Sequence, residues 1–75
     1  MNYRMSEFDI IIEKLLEQRN SYLNTLKHLD FELILDLSND EIKNIEKLQT
    51  ITIGEIKKIE QEIAFLTSKT DEKLQ

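Results

Sequence analysis

The sequence predicts an all-α protein, either an antiparallel helical hairpin or a short three-helix bundle with coiled-coil-like packing. Three observations carry this expectation. Pro is absent and Gly occurs once, as Gly54, so the residues that punctuate loops are nearly missing and long uninterrupted elements are expected. Ile, Leu, Glu and Lys dominate the composition, which suits helices and coiled coils. Apolar residues recur at alternating spacings of four and three, the signature of a heptad. With 75 residues, the chain reads as a single helical domain, residues 1–75, with helices over about 7–36, 39–49 and 53–69.

The first helix is expected to start at Ser6-Glu7-Phe8-Asp9. Ser6 can accept from the backbone N–H three residues on, Asp9 favours the positive helix end, and Met5 with Ile10 fits a hydrophobic staple. The stripe that follows is Phe8, Ile12, Leu15, Arg19, Tyr22, Leu26, Leu29 and Leu33, interrupted only by the charge at Arg19. Ile11, Leu16 and Leu23 flank it, so the apolar face is wider than a two-stranded seam needs.

The sharpest local signal is Leu37-Ser38-Asn39-Asp40-Glu41-Ile42. Ser38 and Glu41 fit a capping box, and Leu37 with Ile42 a staple. A second helix should therefore begin there, with the first ending near Asp36. So short a connection favours antiparallel neighbours. The second helix carries Ile42, Ile45 and Leu48, then meets Thr50-Ile51-Thr52-Ile53-Gly54, a β-branched run of poor helix propensity. Thr52 with Glu55 repeats the capping-box pattern, with Ile51 and Ile56 as a staple. A break near 50–52 and a continuous helix are both compatible with these residues, the break being preferred. Beyond it Ile56, Ile59, Ile63 and Leu66 form one stripe, with Ala64 and Phe65 beside it, and residues 71–75 are expected to fray.

Composition and spacing argue against chemistry. Cys is absent and His28 is the one histidine, so disulfides, thiolate sites and multi-histidine metal sites are excluded within one chain. His28 falls away from the stripe and reads as surface. Ser6 and Ser38 are better explained as caps than as nucleophiles. Glu13 and Glu17 are one turn apart, but a di-metal helical centre needs Glu-x-x-His, which does not occur. Asp36 to Asp40 lacks the glycine of a calcium loop, and Lys47 stands where its last ligand would be. No enzyme activity and no cofactor are expected.

The net charge is −5, with seven acids against four bases in residues 1–37 and eight against six in 38–75. By this count the charge is spread evenly, without an acidic or basic tail. Residues 38–63 could be read as helix, turn and recognition helix, but Lys57 and Lys58 stand among three glutamates and no basic stripe is present to hold phosphates. Nucleic acid and membrane are therefore not expected partners. No apolar run is long enough for a signal peptide or a membrane span, so the expected location is the cytoplasm.

What remains is apolar surface in excess of the main stripes. Below roughly 70–80 residues one core seldom supplies more than about 3–5 kcal/mol. Partner binding or self-association is a common remedy. Ile11, Leu16, Leu23, Ile34, Leu35, Ile53 and Phe65 are the candidate partner-binding residues, and the partner is another protein or a copy of the chain, in a heterocomplex or homo-oligomer. Either these residues form such a groove or dimer face, or they belong to a wide core in a compact bundle.

The stretch Leu26-Lys27-His28-Leu29-Asp30-Phe31-Glu32-Leu33-Ile34-Leu35-Asp36-Leu37, followed by Asp40-Glu41-Ile42-Lys43-Asn44-Ile45, is similar to flagellar export chaperones of the FliT type. The segment Gly54 to Leu66 then resembles their following amphipathic helix. The resemblance implies a helical protein that masks the helical tail of a secretion partner. The expected function is thus a small non-enzymatic helical adaptor or chaperone holding a partner helix on an apolar face. Two alternatives fit the same residues: a small acidic inhibitor or regulator, antitoxin-like or phage-encoded, and a purely structural homo-oligomeric coiled coil.

Overall fold

The computed structural model describes the backbone of residues 6–74 and the side chains of residues 6–69. The expected Met5–Ile10 staple reaches outside these residues. Two helices, α1 (Glu7–Glu32) and α2 (Asn39–Leu74), pack against each other as a hairpin. At about 1.5 Å per residue, the 36 residues of α2 account for the 55 Å long axis of the molecule.

Both starts follow from their caps. At α1, the Ser6 side chain accepts from the Asp9 N–H at 3.1 Å, and the Asp9 carboxylate accepts from the Ser6 N–H at 3.2 Å. At α2, Ser38 and Glu41 make the same reciprocal pair, both at 3.2 Å. Each box satisfies two backbone groups that a helix start would otherwise leave bare.

The first helix ends earlier than Asp36. Leu33 caps α1, and beyond it the chain tightens: the Ile34 N–H donates to the Phe31 carbonyl at 3.2 Å and the Leu35 N–H to that of Glu32 at 3.1 Å. These three-residue closures leave α-helical geometry. They let the chain reverse before the Ser38 cap, which a helix continuing to Asp36 would not allow. The reversal is antiparallel: the Gln49 amide donates to the Asp30 carboxylate at 2.7 Å, and Tyr22 and Ile59 line one groove.

The preferred break near residues 50–52 does not form, so no turn separates a recognition helix from a preceding one. α2 runs through it to Leu74, past the expected end near 69. Thr52 is buried in the seam, 7% exposed, and its hydroxyl donates to the Leu48 carbonyl at 2.7 Å. The capping-box reading of Thr52 and Glu55 therefore fails, because the hydroxyl bonds backwards into the helix rather than forwards to a helix start. Heptad phase explains the continuity. Ile42, Ile45, Gln49, Thr52, Ile56, Ile59, Ile63 and Leu66 alternate spacings of three and four, and all are buried or half-buried. Gln49, rather than the expected Leu48, occupies the seam, and Leu48 is exposed. Packing along α1 thus outweighs the poor local propensity of residues 50–54.

The α1 stripe lies in the seam throughout, with Leu15 and Leu29 buried and the other six positions half-buried. No described side chain is fully enclosed. Two helices offer each other one face only, so every seam residue keeps an edge in water.

Gly54 lies in the middle of α2 with ordinary helical backbone, and a Cβ added there would meet nothing within 4 Å. Gly54→Ala should therefore stabilise the hairpin by roughly 0.8–1 kcal/mol. Thermal denaturation followed by circular dichroism checks this, and an unchanged or lower midpoint would contradict it.

Candidate protein-binding site at the hairpin tip

The seven apolar residues singled out from the sequence do not share one face. Leu16 is half-buried, whereas Ile11, Leu23 and Ile53 are 39–45% exposed. Heptad position puts Leu16, Leu23 and Ile53 along one side of the hairpin, since matching flanks of antiparallel helices adjoin. Ile11 lies on the opposite side. The same side carries Gln18, Ser21, Glu55, Lys58 and Glu62, which line a groove with Tyr22 and Ile59. Phe65, 61% exposed, also belongs to that side, with the Lys69 ammonium 5.5 Å from its ring centroid. His28 is exposed.

Ile34 and Leu35 stand apart from these flanks, in the turn between the helices. They are 74% and 52% exposed, and Phe31, on the outer face of the last turn of α1, is 63% exposed. The hairpin thus carries three large apolar side chains at its tip, mostly in water. Beside them lies a groove of about 390 Å³ lined by Glu32, Leu35, Leu37, Glu41, Asn44 and Ile45. Its apolar wall comes from the turn and from the first turns of α2; its carboxylates come one from each helix.

Local sequence explains the exposure. Residues Phe31 to Leu37 contain five apolar residues in seven positions. Of these, Leu33 closes the α1 stripe and Leu37 is half-buried. The chain reverses between them, so Ile34 and Leu35 have no facing helix to pack against. Phe31 misses the seam by half a helical turn from Leu29 and Leu33.

The tip also holds the charge. Residues 30–42 contain Asp30, Glu32, Asp36, Asp40 and Glu41 and no Lys, Arg or His, while the rest of the chain has ten acids and ten bases. The whole net charge of −5 therefore sits at one end of the molecule. This corrects the even spread read from the sequence: a division at residue 37 cuts one contiguous acidic segment in two. Lys27 and Lys43 bound the segment, yet neither forms an ion pair with these five carboxylates. Phe31 and these acids were not among the candidate residues read from the sequence; an absence of bases over residues 30–42 was the available signal.

Among the described residues no helix is long and apolar enough to cross a membrane. Comparison with protein-family models gives no match, and comparison with curated proteins and with solved structures gives no significant match either.

Proposed function

We propose that this chain is a non-enzymatic protein-binding hairpin, an adaptor or chaperone that holds a helix of a partner protein at its apolar tip. The carrying observation is the exposure of Phe31, Ile34 and Leu35 beside the Leu35–Leu37–Ile45 groove. Three large apolar side chains exposed together at one end mark an interaction surface, and the groove beside them can take the apolar face of a partner helix. In the form implied by the resemblance to flagellar export chaperones, the partner helix is the tail of a secretion substrate. The same reading places the chain in the cytoplasm.

A photoreactive residue placed at Leu35 in the native cell, beside one at the exposed Asn24, tests this. A single protein cross-linked from Leu35 and not from Asn24, and lost in Phe31→Ser/Ile34→Ser with helicity unchanged, is the expected result. No adduct from either site, or equal adducts from both, would count against the reading.

The apolar flank supports a second reading, a structural homo-oligomer in which Leu16, Leu23 and Ile53 close against a second copy. Sedimentation equilibrium separates the two. A dimer dissolved by Leu23→Glu but not by tip substitutions favours the oligomer.

A further inference from the structure

The tip carries information about the chemistry of what it binds. Resting on the reading above, we infer that the tip accepts a cationic amphipathic segment of another protein, with apolar side chains in the groove and Lys or Arg along its edges. The apolar requirement comes from Leu35, Leu37 and Ile45 lining the groove and from exposed Phe31 and Ile34 beside it. The charge requirement comes from the five carboxylates of residues 30–42, which have no basic residue among them.

Other occupants fit less well. A second copy presenting its own tip would bring five carboxylates against five, and like charges brought together oppose association. Nucleic acid and anionic lipid carry the same sign as the tip. A metal ion needs converging donors, and among the described residues no three acidic or histidine side chains are grouped to hold one. The carboxylates are spread along both helix ends and the connection, which suits charges distributed over a peptide rather than one point charge. The helix dipoles do not alter this. The negative end of α1 and the positive end of α2 meet at the turn, so they oppose each other and side-chain charge sets the local field. α1 has no basic residue in its last turn to blunt that field.

The interaction should be steered by charge and anchored by apolar contact, which gives it a divided signature. The probes are two labelled synthetic helices of about five turns, with the same leucine face and either Lys or Glu on the other face. Binding to the full chain is followed by fluorescence anisotropy. The Lys helix should bind and the Glu helix should not. Affinity for the Lys helix should fall by about tenfold or more between low and physiological salt.

Glu32→Gln/Asp36→Asn removes two tip charges and leaves both caps and the Asp30–Gln49 bond in place. It should weaken binding at low salt by about tenfold. Glu13→Gln/Glu17→Gln removes the same charge far from the tip and should change affinity less than about twofold. Equal binding of the two helices, or equal loss in the two double variants, would overturn the inference. So would a dimer in sedimentation that dissolves on Phe31→Ser/Ile34→Ser, because a second copy would then cover the tip. If the Lys helix does not bind while Leu35 still cross-links one protein in cells, the inference is wrong and protein binding at the tip stands. If neither occurs, both fail.

Discussion

Ile59→Asp should abolish the folded hairpin. Ile59 is 7% exposed and sits in the middle of the α2 stripe, lining the same groove as Tyr22. The substitution removes a buried apolar side chain, which alone costs about 2–5 kcal/mol when truncated. It also places a carboxylate at a nearly dry position, a further penalty of a few kcal/mol without a paired cation. Against a total of about 3–5 kcal/mol for a core of this size, the sum leaves no folded population. Far-UV circular dichroism should show most of the helix signal lost at room temperature. Ile53→Asp is the matched control. Ile53 lies six residues earlier in the same helix but is 43% exposed, so its loss should cost only about 1 kcal/mol. If both variants melt alike, the seam assignment is wrong.

Arg19→Leu should do the opposite and stabilise the chain by about 1–2 kcal/mol. Arg19 takes the one charged position in the α1 stripe. Its side chain is half-buried, and its Nε is enclosed without a hydrogen-bond partner among the described residues. A buried N–H without an acceptor carries a desolvation penalty of about 1–3 kcal/mol. Leucine would continue the spacing of Leu15, Tyr22 and Leu26 and remove the orphaned donor. At roughly 4–8 °C per kcal/mol for a domain of this size, the thermal midpoint should rise by about 5–15 °C. A lower midpoint would show that the guanidinium group does more for the fold than its orphaned Nε suggests. One role open to a charge at such a position is to fix register, as polar residues do in coiled-coil seams. In that case the variant would lose a single well-defined helix pairing even if its melting temperature rose.

Much of the hairpin was legible in the sequence, and the parts that were share one physical cause. Caps and helical periodicity are local. Ser38 and Glu41 are three residues apart, so their reciprocal bonds depend on nothing but the chain between them. The α1 stripe from Phe8 to Leu33 is set by residues at fixed spacing on one helix, and every member proved buried or half-buried. The middle of α2 was not legible in this way. Thr50 to Gly54 argue locally for a break, and what overrides them is α1, whose seam residues accept Gln49, Thr52 and Ile56 in unbroken heptad phase. That term is absent from any local reading, because it depends on a helix some 20–30 residues away in the chain.

The candidate site divides along the same line. Ile34 and Leu35 could be named as surplus apolar residues from the sequence. Whether Ile11, Leu16, Leu23, Ile53 and Phe65 join them could not, because two helices of known stripe can still place their flanks on different sides. The antiparallel pairing decides it: three of these residues go to one flank, two to the other, and the tip keeps Ile34 and Leu35 with Phe31.

By itself, the sequence determined that the chain is all-α, where both helices start, and which residues of α1 face inward. Each of these follows from hydrogen bonds or side-chain periods that close within a few residues. The tertiary structure alone decided that α2 is one helix, that the turn begins at Leu33, and that the base-free acidic stretch of residues 30–42 lies at the tip around three exposed apolar side chains. Those features arise only when one helix supplies the surroundings of the other and the chain reverses between them.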